Sequence, residues 1–320
     1  MNFLLTLGVT YSHHDHRREE GCFETARLAL LDWEKRSIVQ SVDYAPPREH
    51  RPDIPNDNVI FKGAALLGNR LFATTNTDIA EFRSPDLKFV RSYSHPWFND
   101  NHFVAPQEDR LWVVVTGLDL VLELTYAMEV IAEHNVAEAP TWERFDRNRD
   151  YRKVVSTKPH AVHPNCLFFL EGEPWVTRFH QKDAVSLVDR SRRIPIEVGN
   201  PHDGHAVGDR VCFTTTNGRI VIANARKRRV EQVIDLNALS GKDRYLGWCR
   251  GVEIVGVEAF VAFSMLRTTK WREMASWVKN LGKAPLPTRI ARYDLDREKL
   301  IEEVVLEEDR KCAVFTVRLL

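Results

Sequence analysis

One phrase recurs along this chain: an apolar run, a two-residue turn built on glycine or asparagine, then a second apolar run. Its fullest form lies between Asn200 and Ala225, where strands are expected at Gly204 to Val207, Arg210 to Thr215 and Arg219 to Asn224, joined by Gly208-Asp209 and Asn217-Gly218. Such a pair between alternating apolar residues is a hairpin signal, because a tight turn needs residues that tolerate positive φ. The same grammar returns at Lys62 to Thr75, Asn101 to Val114, Asn165 to Thr177 and Arg250 to Val261. A hairpin that keeps returning at a spacing of roughly 40 to 50 residues is one unit of a repeat architecture.

The two ends of the chain complete the pattern. Phe3 to Thr10 has no strand before it, and Ala313 to Leu320 is an alternating strand with nothing after it. Pairing them closes a ring and removes the exposed sheet edges that would otherwise recruit other chains. Counting from that closure gives units at 313 to 43, 60 to 94, 101 to 135, 160 to 198, 204 to 236 and 250 to 306. Four strand-like segments per unit make an all-β, six-bladed β-propeller, with residues 1–320 as a single domain. A β-sandwich leaves the return of the same inner pattern unexplained.

Four segments fall outside the repeat: 11–21, 45–58, 138–157 and 266–287. Within the last, Trp271, Met274, Trp277 and Val278 stand at helical spacing, so a short amphipathic helix is expected over Lys270 to Leu281. Calling the strands of a unit a to d from the axis outward, all four insertions are d-to-a or b-to-c connections, which share one face. The opposite face has only tight turns at Gly68-Asn69, Gly208-Asp209 and Gly256-Val257. Long loops gathered at one end of a rigid scaffold cap the central channel there and mark where binding is expected.

Charge narrows the partners. Lys plus Arg equals Asp plus Glu at 45 each, so no global field draws nucleic acid or membrane, and the basic run Arg226 to Arg229 reads as a solvated outer hairpin without interleaved aromatics. No apolar run approaches the roughly 18 residues of a membrane span. The five cysteines form no metal spacing, and Cys166 and Cys212 sit inside apolar strands, which fits reduced thiols in a cytoplasmic protein. No P-loop, dinucleotide fingerprint or nucleophile elbow is present, so no nucleotide cofactor is expected.

The candidate chemistry lies where the innermost strands begin. Lys62, Asn101 or His102, Asn165, Asp203, Arg250 and Lys311 occupy those positions and line the capped mouth of the channel. Charged groups are costly to bury unless they are paired or hold a ligand, so their convergence predicts a polar cavity. His160 and His163 precede Asn165, His202 and His205 flank Asp203, Arg178 and His180 follow the second strand of their unit, and Trp248 precedes Arg250. Histidines ligate transition metals through neutral imidazole, and a site assembled from several blades needs no local spacing motif. The run His13-His14-Asp15-His16 is explained equally by a ligand loop or by a solvated one.

Three short phrases, Asn-Asp-Asn-His before Leu111-Trp112, Pro164-Asn165 before Trp175-Val176, and Asp203-Gly204 before Cys212-Phe213, resemble the NHL and SMP-30/gluconolactonase type of six-bladed propeller. That resemblance implies a central divalent ion, typically calcium, held by Asn101, Asn165 and Asp203 and used as a Lewis acid in lactone or ester hydrolysis. The acidic ligand that the type carries near the chain start has no counterpart here, and Lys62, Arg250 and Lys311 bring positive charge where calcium wants oxygen. Those cations suit an anionic substrate instead.

The expectation is a small-molecule site, metal-assisted and of hydrolase or lyase type, acting on an anionic substrate. Asn101, His102, Asn165 and Asp203 are the candidate metal ligands, for calcium, zinc or iron. Lys62, Arg178, Arg250, Trp248 and Lys311 would bind substrate, and His163, His205 and His180 would move protons beside Arg250. Two alternatives stand beside it: a propeller holding iron through histidines as oxygenases do, and a non-catalytic scaffold that takes a protein partner on the 270–281 helix.

Overall fold

The computed structural model describes residues 1–10, 23–54, 57–241, 245–265, 286–306 and 311–320, with the backbone alone at Lys311. The expected ring is present: six four-stranded antiparallel sheets, each a meander. In blade 1 the innermost strand is Lys311–Leu319, followed outward by Asn2–Thr10, Thr25–Asp32 and Ser37–Tyr44. Blades 2 to 6 begin with inner strands Ala64–Leu67, Asn101–Pro106, Pro164–Leu170, Pro201–Val207 and Trp248–Val255. Their outermost strands are Lys88–Tyr93, Val130–Asn135, Arg193–Pro195, Arg229–Asp235 and Lys299–Val305. The ring closes as the termini predict, Phe3 pairing with Leu319 and Thr10 with Lys311.

Apolar residues of each pleat fill the wedges between blades. Between blades 6 and 1, Phe3, Trp33 and Phe260 meet with ring centroids 4.4 to 5.9 Å apart, within a cluster that includes Leu5, Leu7, Ile290 and Val314. Between blades 2 and 3, Phe72, Tyr93, Phe98, Val113 and Leu122 do the same work. Outermost strands carry charge instead, with Lys88 and Arg91 on blade 2, which blunts the exposed edges. The turns Gly68, Gly208 and Gly256 sit at φ 60°, 59° and 63°, the left-handed conformation that a tight turn needs and glycine supplies without strain.

Near the axis the blades approach so closely that backbone meets backbone. A Cβ on Gly63 would stand 2.4 Å from the carbonyl oxygen of His102, and one on Gly251 would stand 2.7 Å from that of Phe315. Hydroxyls on or just after the second strands stitch several blades to the next: Thr6 donates to the Lys62 carbonyl at 2.9 Å, Thr116 to Pro164 at 2.5 Å, and Ser264 to Val314 at 2.8 Å. Thr214 bonds the Arg250 carbonyl in the same way. Thr74 and Thr177, by contrast, bond Gly63 and Cys166 within their own blades.

At the mouth the inner strands share a second device. Register slips by one residue between Asn101 and Phe103, Pro164 and Leu167, Pro201 and Asp203, Cys249 and Val252, and between Thr316 and Val314. In blade 2, Lys62 and Gly63 both bond Thr74, the same two-against-one arrangement. A bulge leaves its extra residue out of the ladder and re-aims its side chain. His102, His202 and Phe315 are such extra residues, and Asn165 and Arg250 lie within the slips. The expected strand start at Gly204 is corrected for this reason: the strand begins at Pro201, with polar His202 bulged out of it.

Of the insertions, the parts of 45–58 and 138–157 that the structure describes lie over the mouth. Asn99 donates to the carbonyls of Tyr151 and Val154 at 2.9 and 2.7 Å, and Lys153 donates to the Arg51 carbonyl at 3.0 Å, so the two insertions touch. The expected 270–281 helix with Trp271 and Trp277, the His13, His14 and His16 loop, and the Lys311 side chain lie outside what the structure describes. No helix among the described residues is long and apolar enough to cross a membrane.

Candidate functional site at the channel mouth

A chain of ring contacts runs around the mouth from blade to blade. The Arg250 guanidinium lies over Phe315 at 3.5 Å, Phe315 stands 6.2 Å from His202, and His202 stands 6.4 Å from His102. His102 is 4.9 Å from His163, which is 5.0 Å from His160, 6.0 Å from His180 and 5.2 Å from Phe179. Lys62 reaches the same region and pairs with the carboxylate of Asp100. The structure thus brings together Lys62, His102, His160, His163, His180, His202 and Arg250, drawn from five blades, and adds Asp100.

Hydrogen bonds fix how these rings present themselves. The single proton of Thr116 Oγ1 goes to the Pro164 carbonyl, so at 2.5 Å from His102 Nδ1 this oxygen accepts, and Nδ1 carries the imidazole proton. That leaves Nε2 of His102 with its lone pair. His160 Nδ1 and His163 Nδ1 are 2.8 Å apart, and His160 Nε2 lies 3.3 Å from the Thr157 hydroxyl.

The segment that carries His160 and His163 is braced from below by Asp119, whose carboxylate is fully buried. It accepts the amides of Ala161, Val162 and His163 at 2.8, 3.1 and 2.8 Å and the Arg144 guanidinium at 2.7 Å. Burial pushes its acidity down, but the Arg144 and amide bonds outweigh that and hold it ionised, below the usual carboxylate range. His163 takes φ +57° on this anchor, a left-handed conformation uncommon for a side chain of its size.

Burial drives the imidazoles toward neutrality. It holds His202 down at about 3, helped by Arg250 and Lys62, and His163 at about 3, while His102 falls well below the ordinary histidine range. Asp100 moves the other way: burial raises it, but Lys62 and the histidines dominate and hold it at about 2. At neutral pH the mouth therefore presents the Asp100–Lys62 pair, with burial pulling the Lys62 amine below its ordinary range, the Arg250 guanidinium, and neutral imidazoles.

Further along the inner strands lies a separate polar knot. Asp203 accepts the Val252 and Gly204 amides at 3.0 Å and faces Arg318 at 3.5 Å; Arg318 is 3.6 Å from Glu253, and His205 is 3.7 Å from Glu253. Burial raises Glu253 to about 7 and lowers His205 to about 4.

Several expected site residues accordingly take other roles. Asp203 is committed to Arg318 and to the backbone of the next blade, because its position is the third of a bulged strand and points along the channel. His205 stands two residues deeper, beside Glu253. Arg178, opposite Pro164 on its sheet, is engaged by other groups: it forms a bidentate pair with Asp183 at 2.8 and 2.7 Å and donates to the Val136 carbonyl at 3.3 Å, which joins blades 3 and 4. Asn165 donates to the Pro201 carbonyl at 3.0 Å, and Asn101 is fully buried. The buried Oδ1 atoms of both are without a hydrogen-bond partner, while the Asp203 carboxylate is paired to the Arg318 guanidinium, a cation where calcium would want a further oxygen ligand. Trp248 is half-buried at the start of its inner strand. Asp100 and Asp119 were not singled out from sequence; the only signal was the acidic residue just before the Asn101 strand.

Protons lost on burial make stability depend on pH. His95, His202 and His205 are held at about 4, 3 and 4, against 6.5 when exposed, so below 6.5 the unfolded chain binds more protons and stability falls with pH. Glu253, raised from 4.5 to about 7, works in the opposite direction over 4.5 to 7 and cancels about one proton. With His163 at about 3 on the side of these histidines and Asp78 raised to about 6 on the side of Glu253, the lowered histidines outnumber the raised carboxyls, so stability falls as pH drops from 6.5 toward 4.5. Urea unfolding at pH 7, 6 and 5 measures this, and equal midpoints at all three would contradict the assignment.

No family model matches the sequence, and no curated protein does. Solved structures do. A chain in the crystal structure of a nidogen/laminin complex aligns with TM-score 0.58 at 10% identity over 99% of this chain and 97% of that one. The Neurospora crassa Pan2 WD40 domain aligns at 0.47 and 11% identity over 82% and 68%. With the sheet order, the first likeness defines the class: this chain is a six-bladed β-propeller. At such identity the likeness speaks for the fold alone.

Proposed function

We propose that this protein is a small-molecule-processing propeller whose capped mouth takes an anionic substrate and acts on it with hydrolase- or lyase-type chemistry assisted by a divalent metal. The observation that carries this reading is the convergence of Lys62 and Arg250 with the imidazoles of His102, His163 and His202 in one opening. A ring of blades needs none of these groups to close, and desolvating them opposes folding. The cations would hold a carboxylate or phosphate, Arg250 as a planar fork already steadied on Phe315. His102, with its Nε2 lone pair, and His202 would offer neutral ring nitrogens that accept a hydrogen bond from the substrate or bind a metal. The buried cysteines Cys166, Cys212 and Cys249 are free thiols, which suits the reducing cytoplasm expected for it.

The test is direct binding. In a thermal-shift panel of small mono- and dicarboxylates, sugar phosphates and their neutral amides, the anionic members should raise the melting temperature and the amides should not. Arg250→Ala and Lys62→Met should each weaken the best ligand at least tenfold by calorimetry. Equal affinity for anion and amide, or no loss in either variant, would sink the reading.

The second reading is a scaffold that binds a protein. It is favoured by the structural neighbour, which was crystallised in a nidogen/laminin complex. A propeller of this kind would show no ligand in the panel and would lose its partner on Trp271→Ala with Trp277→Ala.

A further inference from the structure

We infer that Asp100, His160 and His163 form a three-ligand centre for a divalent transition ion of the zinc or iron class. This rests on the site proposed above and names the metal-binding residues within it, which differ from the Asn101, His102, Asn165 and Asp203 set expected from sequence.

Three observations lead here. First, one ligand atom from each residue lies within 4.8 Å of the other two. His160 Nδ1 and His163 Nδ1 are 2.8 Å apart. Two nitrogens bound to one ion at about 2.0–2.1 Å and at right angles stand about 2.9 Å from each other, so the pair already has the spacing of adjacent ligands. Two histidines and one carboxylate with remaining positions open is the donor set of catalytic transition-metal sites. Calcium and magnesium are disfavoured, since they take oxygen.

Second, the outer shell is present. A ligating imidazole holds its other nitrogen on a hydrogen-bonding partner, and His160 Nε2 lies 3.3 Å from the Thr157 hydroxyl. Lys62 bonds Oδ1 of Asp100, which leaves Oδ2 for an ion.

Third, the pair is held in place by a buried anchor. The Asp119 carboxylate takes three successive amides, those of Ala161, Val162 and His163, and keeps His163 at φ +57°. That bends the segment so that imidazoles three residues apart face each other with ring planes inclined by 23°. His102, 4.9 Å from His163, flanks the open side of the centre. An ion there would supply a Lewis acid, or water acidified for attack, next to the Lys62 and Arg250 cations.

The experiment uses full-length protein stripped with chelator and titrated with Zn2+ by calorimetry and with Co2+ by visible absorption. One equivalent should bind, and Co2+ should give the d–d bands of a nitrogen- and oxygen-ligated ion. Asp100→Asn, His160→Ala and His163→Ala should each weaken Zn2+ at least 100-fold and abolish those bands, while circular dichroism stays that of the parent. His134→Ala, and a variant with His13, His14 and His16 all replaced by Ala, should bind as the parent does. Full retention in the three ligand variants would overturn the assignment, as would loss of the ion in the His13, His14 and His16 variant or no stoichiometric binding by the parent; the 2.8 Å contact is then only an imidazole hydrogen bond. Repeating the anion panel on stripped protein separates the outcomes: anion binding that persists without any Zn2+ site keeps the substrate reading and removes the metal from it.

Discussion

Deleting residues 311–320 should leave a chain that does not fold. These residues are the innermost strand of blade 1, paired with Asn2–Thr10 along its whole length, so their loss exposes a buried sheet edge. Val314 and Val317 leave the core between blades 6 and 1, and Thr316 no longer reaches the Lys62 carbonyl. Loss of Arg318 strands Asp203 and Glu253 in the channel without their cation. Removing one partner of a buried ion pair alone costs about 3–5 kcal/mol, a large share of the 5–15 kcal/mol by which domains of ordinary size are stable. Far-UV circular dichroism and gel filtration should show an unfolded or aggregated species, and a synthetic peptide of 311–320 added in trans should restore β signal and monomeric elution. Cooperative unfolding of the truncated chain at the parental urea midpoint would refute the closure.

The second large effect is expected at Asp119. Asp119→Ala removes one fully buried carboxylate and leaves three amides and the Arg144 guanidinium without it. One buried and two part-buried N–H groups lose their acceptor and the Arg144 guanidinium loses its carboxylate, which together costs about 2–4 kcal/mol. Asp119→Asn keeps one carbonyl oxygen as acceptor and should recover roughly half of the loss. Because the anchored segment carries His160 and His163, both variants should also weaken Zn2+, the Ala form more than the Asn form. A change under about 1 kcal/mol in urea unfolding for Asp119→Ala would mean that the 161–163 turn holds its shape without the anchor.

What could be read from sequence, and what could not, divides by the distance over which residues cooperate. The blades were legible because each is local: a hairpin announces itself through Gly208-Asp209 or Gly68-Asn69, and repetition multiplies the signal. Lys62, His102, His202 and Arg250 were legible as mouth residues because a ring places every strand start at one end, whatever lies between them in the chain. The rest needed contacts that no local pattern encodes. Asp203 looked like a ligand until Arg318, 115 residues away, was found against it. Arg178 looked like a substrate clamp, yet its partner Asp183 lies five residues on, across a hairpin. Asp119 is anchor to amides 42 to 44 residues later, and a buried aspartate reads in sequence like any loop acid. Asp100, at φ +54°, lies in the turn before its strand, where its role depends on Lys62 of the preceding blade.

The repeated bulge carries a consequence for substitution. His102, His202 and Phe315 are pushed out of the strand pairing yet stay tied to their surroundings, His102 through Thr116 and Phe315 under Arg250, so exchanging one of them alters its neighbours together with the opening.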